Sequence, residues 1–109
     1  MIDPRDAQFI DELLKATQAG KIRWTPTAKV REFTASFRGK FSVLIGERVV
    51  GAPPQAPSFH PELKILDEFG SLVRKIEDPR IEALIDTAMR GAMHSDEAMD
   101  EILEEIRTR

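Results

Sequence analysis

The stretch FTASFRGKFSVLI, residues 33–45, decides how this chain is read. Phe33, Ala35 and Phe37 alternate with Thr34 and Ser36; after three intervening residues, Phe41, Val43 and Ile45 alternate with Ser42 and Leu44. A period of two puts every second side chain on the same face of a strand. Cross-strand neighbours share a face, so pairing Phe37 with Phe41 also sets Ala35 opposite Val43 and Phe33 opposite Ile45. Arg38-Gly39-Lys40 is then a three-residue loop containing glycine. A two-residue loop would set Phe37 opposite Lys40 and split the apolar set between two faces. The spacing predicts an antiparallel hairpin with one apolar face.

Upstream, Asp3 stands before Pro4 as an N-cap, with Asp6 in the first turn. Phe9, Ile10, Leu13, Leu14 and Thr17 recur at helical spacing and form one stripe. Gly20 is placed to end this helix in a left-handed conformation. Ile22 and Trp24 then alternate with Lys21 and Arg23, which predicts a short strand ended by Thr25-Pro26. Trp24, the only tryptophan, shares a face with Ile22 and reads as a core plug burying about 200 Å².

Downstream, ELKILDEFGSLVRKI (residues 62–76) reads as a second hairpin turning at Asp67-Glu68-Phe69-Gly70. The expected register pairs Ile65 with Val73 and leaves Leu66 and Leu72 together on the opposite face, so both faces carry apolar residues. Between the hairpins, GAPPQAPSFHP (residues 51–61) holds four of the seven prolines and is excluded from an interior strand. Its Pro54-Gln-Ala-Pro57 spacing matches a polyproline ligand, but no basic residue flanks it closely, and it reads as a connector. In the tail, Asp78-Pro79 repeats the capping device, and Ile81, Leu84, Ile85, Ala88 and Ala92 make a helical stripe weakened by Gly91. Ser95 caps a last helix whose buried side is expected to be Met99, Ile102, Leu103 and Ile106. Strands grouped together with helices at the ends predict an α+β fold. It comprises an N-terminal helix, an antiparallel meander of about four to five strands in two hairpins, and two C-terminal helices, all within a single domain, 1–109.

A chain of 12.3 kDa is expected to bury about two-thirds of the surface its unfolded state exposes, enough for one modest core. With no cysteine, neither disulfides nor thiolate metal sites contribute. No apolar run approaches the roughly 18 residues of a membrane span, and acids occupy the N-terminus where a secretory signal would be basic. A soluble, cytoplasmic protein without membrane contact is the expectation. The net charge of -3 divides unevenly: nine Lys and Arg against six acids up to His60, and seven against thirteen from Pro61 onward. The basic excess lies between Lys21 and Arg48.

Together, these motifs resemble a group of short, uncharacterised bacterial proteins. They share a helix with two leucines, a threonine and a glycine followed by tryptophan, here Leu13, Leu14, Thr17, Gly20 and Trp24. An aromatic hairpin and a strand ending in Asp-Glu-x-Gly, here residues 67–70, complete the pattern. The resemblance spans most of the chain outside the proline-rich segment. It implies the same α+β fold and carries no activity.

No catalytic, cofactor or metal residues are expected. His60 and His94 are the only histidines, and neither has the spacing of a metal-ligand set. His94-Ser95-Asp96 contains triad residue types, but adjacent residues do not generally set up a relay; His94 is instead expected to interact with the C-terminal end of its helix. The glycines match neither a phosphate loop nor a dinucleotide fingerprint. The paired acids Asp100-Glu101 and Glu104-Glu105 fall on the solvent side of a helix. A helix-turn-helix reading fails because so acidic a second helix opposes phosphate contact. The surviving nucleic-acid reading uses the basic strand residues Arg23, Lys29, Arg31, Arg38 and Lys40. The favoured reading is a non-enzymatic protein-interaction module, a regulator or inhibitor of another protein, that is itself a homodimer. Its surplus apolar residues are Leu44, Leu66, Leu72, Met89, Met93 and Met99, the methionines being suited to irregular contacts, with Leu44, Leu66, Leu72, Met93 and Met99 taken as the interaction surface.

Overall fold

The computed structural model describes residues 3–92 and 95–109. Helix α1 (Pro4–Gln18) leads into β1 (Thr25–Pro26), β2 (Phe33–Phe37), β3 (Phe41–Val50), β4 (Ser58–Leu66) and β5 (Leu72–Glu77), followed by α2 (Arg80–Ala92) and α3 (Ser95–Thr108). The five strands form one sheet in chain order, and every pairing is antiparallel. The arrangement is the expected α+β one.

Local chemistry sets the ends of these elements. Asp3 accepts a hydrogen bond from the Arg5 amide at 2.8 Å, with Pro4 opening α1 behind it. Gly20 turns the chain out of the helix at φ 73°. Asp78 caps α2 in the same way, accepting from the Arg80 amide at 2.8 Å. In the β4–β5 turn, the Asp67 carboxylate accepts from the amides of Phe69 and Ser71, both at 2.9 Å.

The first hairpin has the register read from its alternation: Phe33 opposite Ile45, Ala35 opposite Val43 and Phe37 opposite Phe41. Arg38 and Gly39 both take left-handed backbone, at φ 56° and 63°, to close its three-residue turn. The inner face of the sheet meets α1 and α2, and Ile10, Ile45, Leu63, Ile81, Leu84 and Ile85 are completely buried between them. Trp24 is 4% exposed, as expected of a core plug. Its indole nitrogen donates to the Thr17 hydroxyl at 2.9 Å, and that hydroxyl donates to the Leu13 carbonyl at 2.7 Å.

Four expectations need correction. The short strand lies at Thr25–Pro26 and not at residues 21–24: its ladder with β2 has only the pairs Thr25–Thr34 and Pro26–Phe33 and stops short of Trp24. Trp24 is therefore held by α1 and not by a ladder. In the second hairpin Ile65 faces Arg74, with a bulge beside it, while Leu66 and Leu72 face each other as expected. The extra residue puts both Val73 and Arg74 on the inner side. Residues 58–61 belong to β4 and not to the connector. Pro61 is tolerated there because β5 pairs only from Glu62, leaving one edge of β4 open at that point. Finally, the stripe of α3 is not buried: Met99, Ile102, Leu103 and Ile106 are all exposed.

Candidate functional site

The outer face of the sheet, turned away from the helices, carries a lattice of charge. Register sets Lys64 opposite Lys75 and Glu62 opposite Glu77, two like-charged pairs that repel when directly opposed. Diagonal and same-strand contacts resolve the conflict. Lys64 and Lys75 each lie 3.4 Å from the Glu62 carboxylate, and Lys75 lies 3.2 Å from Glu77. Arg48 approaches from β3, at 3.7 Å from Glu62 and 3.2 Å from Glu77. Glu62 is the centre of this lattice, with its side chain only 12% exposed. One of its oxygens, Oε2, is buried without a hydrogen bond and is held by Coulomb attraction alone.

The hydrogen bond from Lys75 holds the Glu77 carboxyl below its ordinary range, and the same bond raises the Lys75 ammonium. Lys75 is thus a fixed positive charge and not a nucleophile at neutral pH. Beside the lattice, Lys29, Glu32 and Leu44 complete the wall of a groove of about 440 Å³. Gly46 floors it because a Cβ there would sit 3.2 Å from the Glu32 side chain.

Arg31 belongs to the other side of the sheet. Its guanidinium donates to Glu47 at 2.5 Å and to Asp86 at 2.9 Å, tying the β1–β2 loop to β3 and to α2. Hydrogen bonding to Glu47 first, and then to Asp86, raises its pKa. Its backbone is left-handed, at φ 58°, so the loop is bent to deliver this side chain.

Apart from Val30 in the β1–β2 loop, the large exposed apolar residues gather in three patches. The first is an arm at the end of the β3–β4 hairpin, where Val49 and Phe59 face each other beyond the reach of β2 and β5 and are 58% and 59% exposed. The second is the opposite end of the sheet, with Phe41, Phe69, Leu72 and Val73. The third is the stripe of α3.

The residues expected to form an interaction surface are only partly brought together. Leu44, Leu66 and Leu72 share the outer face, with Leu66 and Leu72 in direct opposition. Met99 sits apart, on α3. Met93 and His94 lie outside the described residues. The basic set is dispersed. Arg31 is engaged in ion pairs, Arg38 and Lys40 stand at the β2–β3 turn, Lys29 borders the outer groove, and Arg23 precedes β1. Arg48, Lys64, Lys75 and Glu62 were missed as a group. Their signal was present in the alternation Glu62, Lys64 and Lys75, Glu77 on two strands that pair. Among the described residues no group of three side chains could hold a metal ion, and no helix is long and apolar enough to cross a membrane. No family model matches the chain, and neither a curated protein nor a solved structure matches it.

Proposed function

We propose that this protein is a non-enzymatic interaction module of the cytoplasm, a homodimer that binds and regulates another protein. One observation carries the reading: apart from Val30, its large exposed apolar side chains are gathered into patches and not scattered singly. Contiguous apolar surface of this kind marks contact sites on soluble proteins. For a partner protein, the reading assigns the projecting Val49–Phe59 pair and the Leu66–Leu72 pair of the outer face. The lattice around Glu62 shares the outer face with the Leu66–Leu72 pair and supplies it with a charged border of both signs, which favours register and association rate over affinity, while Val49 and Phe59 alternate onto the opposite face of the arm.

The test compares capture from native lysate by the wild-type protein and by Phe59→Asp and Leu72→Asp variants. Both sites are more than half exposed, so the variants keep the fold. A protein retained by the wild type and lost by either variant supports the reading; identical capture by all three overturns it. The same preparations are expected to leave mixed-sequence single- and double-stranded nucleic-acid probes unshifted at micromolar protein and low salt. A shift that weakens with salt, at a slope near -0.9 per phosphate contact on duplex DNA, would instead establish the nucleic-acid alternative.

A further inference from the structure

Helix α3 has 14 residues, a length at which an isolated helix is marginal in water. Met99, Ile102, Leu103 and Ile106 follow the spacing of one helix face, yet they are 61%, 57%, 43% and 57% exposed. No other element among the described residues makes extensive contact with α3. The chain as a whole exposes 8180 Å², whereas a compact monomer of its mass exposes about 6,100 Å². Its radius of gyration is 16.5 Å, against about 13 Å for a compact chain of this length.

A complementary surface exists at the turn end of the sheet. Phe9 of α1 stands over Phe37, Phe41, Val43 and Ile65, and these five apolar side chains enclose an open notch of about 310 Å³. Val73 and Ile76 continue it toward β5. The notch crosses β2 to β5, about 14 Å at ordinary strand spacing, while the stripe from Met99 to Ile106 rises about 10 Å. Charges of both signs border the two surfaces. Arg5, Asp6 and Arg74 stand at the β5 end of the notch, and the Lys40 ammonium lies 5.9 Å from the Phe41 ring centre. On α3, Asp100 and Glu105 flank the apolar stripe about 110° from its centre, and Arg107 about 90° from it.

We infer that α3 docks in this notch on a second copy of the chain, reciprocally, so that two chains exchange their last helices. The inference rests on the homodimer reading and names its interface. The same chain's notch is the wrong occupant for geometric reasons. Helix α2 starts at the end of β5 and crosses β4, β3 and β2 to β1, so α3 begins at the β1 edge, across α1 from the notch. The connection from Ala92 to Ser95 spans at most about 11 Å, no more than the diameter of α1 with its side chains. Matching the surplus of about 2,000 Å² on each of two chains would bury about 4,000 Å², within the range of obligate homodimers.

Light scattering on the full chain at tens of micromolar tests this. The wild type is expected to be a dimer. Ile102→Asp, which alters no core residue, is expected to be a folded monomer whose dimer dissociation constant has risen by about 100-fold or more. Phe41→Asp damages the notch and should do the same. Mixing the two variants should restore a dimer, since one intact helix then meets one intact notch. If the wild type is monomeric, both the homodimer reading and the docking are wrong. If Ile102→Asp remains dimeric, the homodimer stands and the docking fails. The chain has no cysteine, so a Phe41→Cys, Ile102→Cys variant gives an independent readout. A disulfide at twice the chain mass is expected; one at the single-chain mass would show α3 folding back and overturn the exchange.

Discussion

Trp24 shows how one residue can be placed from its neighbours alone and yet be held by a contact they do not reveal. Its burial followed from lying beside a helix with an unsatisfied apolar stripe. Its anchor is the Thr17 hydroxyl, seven positions upstream. That hydroxyl serves twice, accepting from the indole and donating to the helix carbonyl of Leu13, so neither polar group is stranded in the core. Trp24→Ala is expected to cost about 3–5 kcal/mol, the range for deleting a buried aromatic. Chemical denaturation measures the loss, and the wild-type fluorescence should be blue-shifted. Red, fully quenchable emission from the folded protein would sink this assignment. Arg31 is the contrasting case. Its spacing in the sequence suggested a solvent-facing strand residue, but its partners lie 16 and 55 positions away, on β3 and α2. No local pattern encodes such a pairing.

At the scale of elements, alternation was legible wherever one strand face was apolar and the other polar. The β2–β3 hairpin met that condition, and its register was read correctly residue by residue. The β4–β5 hairpin did not, since apolar residues on both faces removed the penalty for a slip, and the bulge at Ile65 went unread. The charge lattice on its outer face was unread for a related reason: the two strands must be paired before Glu62 and Lys75 become neighbours. This lattice has a pH signature. The hydrogen bond from Lys75 depresses the Glu77 carboxyl, with the charges of Arg48, Lys75 and His60 acting in the same direction. A depressed folded value means that Glu77 stabilises the fold above its ordinary unfolded value. That contribution is lost as pH falls through the lowered folded one. Carboxyl chemical shifts followed through an acid titration should therefore place the Glu77 midpoint below that of an unpaired glutamate. Lys75→Met should move it upward. An unchanged midpoint in that variant would show that the hydrogen bond is not the cause.

At the scale of the whole molecule, the surface left over after folding governs behaviour. Four strongly apolar positions on α3 and the open notch beside Phe9 remain exposed in a single chain. If two chains satisfy each other, stability depends on protein concentration through mass action. The melting temperature should then rise steadily from low to high micromolar protein in scanning calorimetry. A midpoint independent of concentration across that range would contradict an obligate pairing. The Ile102→Asp variant should melt at a lower and concentration-independent temperature.

The amino-acid sequence by itself determined the order and type of the elements, the caps at Asp3, Gly20 and Asp78, the Phe37–Phe41 register and the burial of Trp24. Each depends on side-chain period, backbone preference or turn chemistry, and these act over a few residues. Only the tertiary structure decided which apolar faces are covered. The stripes of α2 and α3 look alike in spacing, yet Ile81, Leu84 and Ile85 are fully buried while Ile102, Leu103 and Ile106 are exposed. The same holds for the partners of Arg31 and for the assembly of Glu62 with three cations from β3, β4 and β5. Burial and pairing depend on what stands opposite in space, and a periodic pattern states only that a face is apolar, not what will meet it.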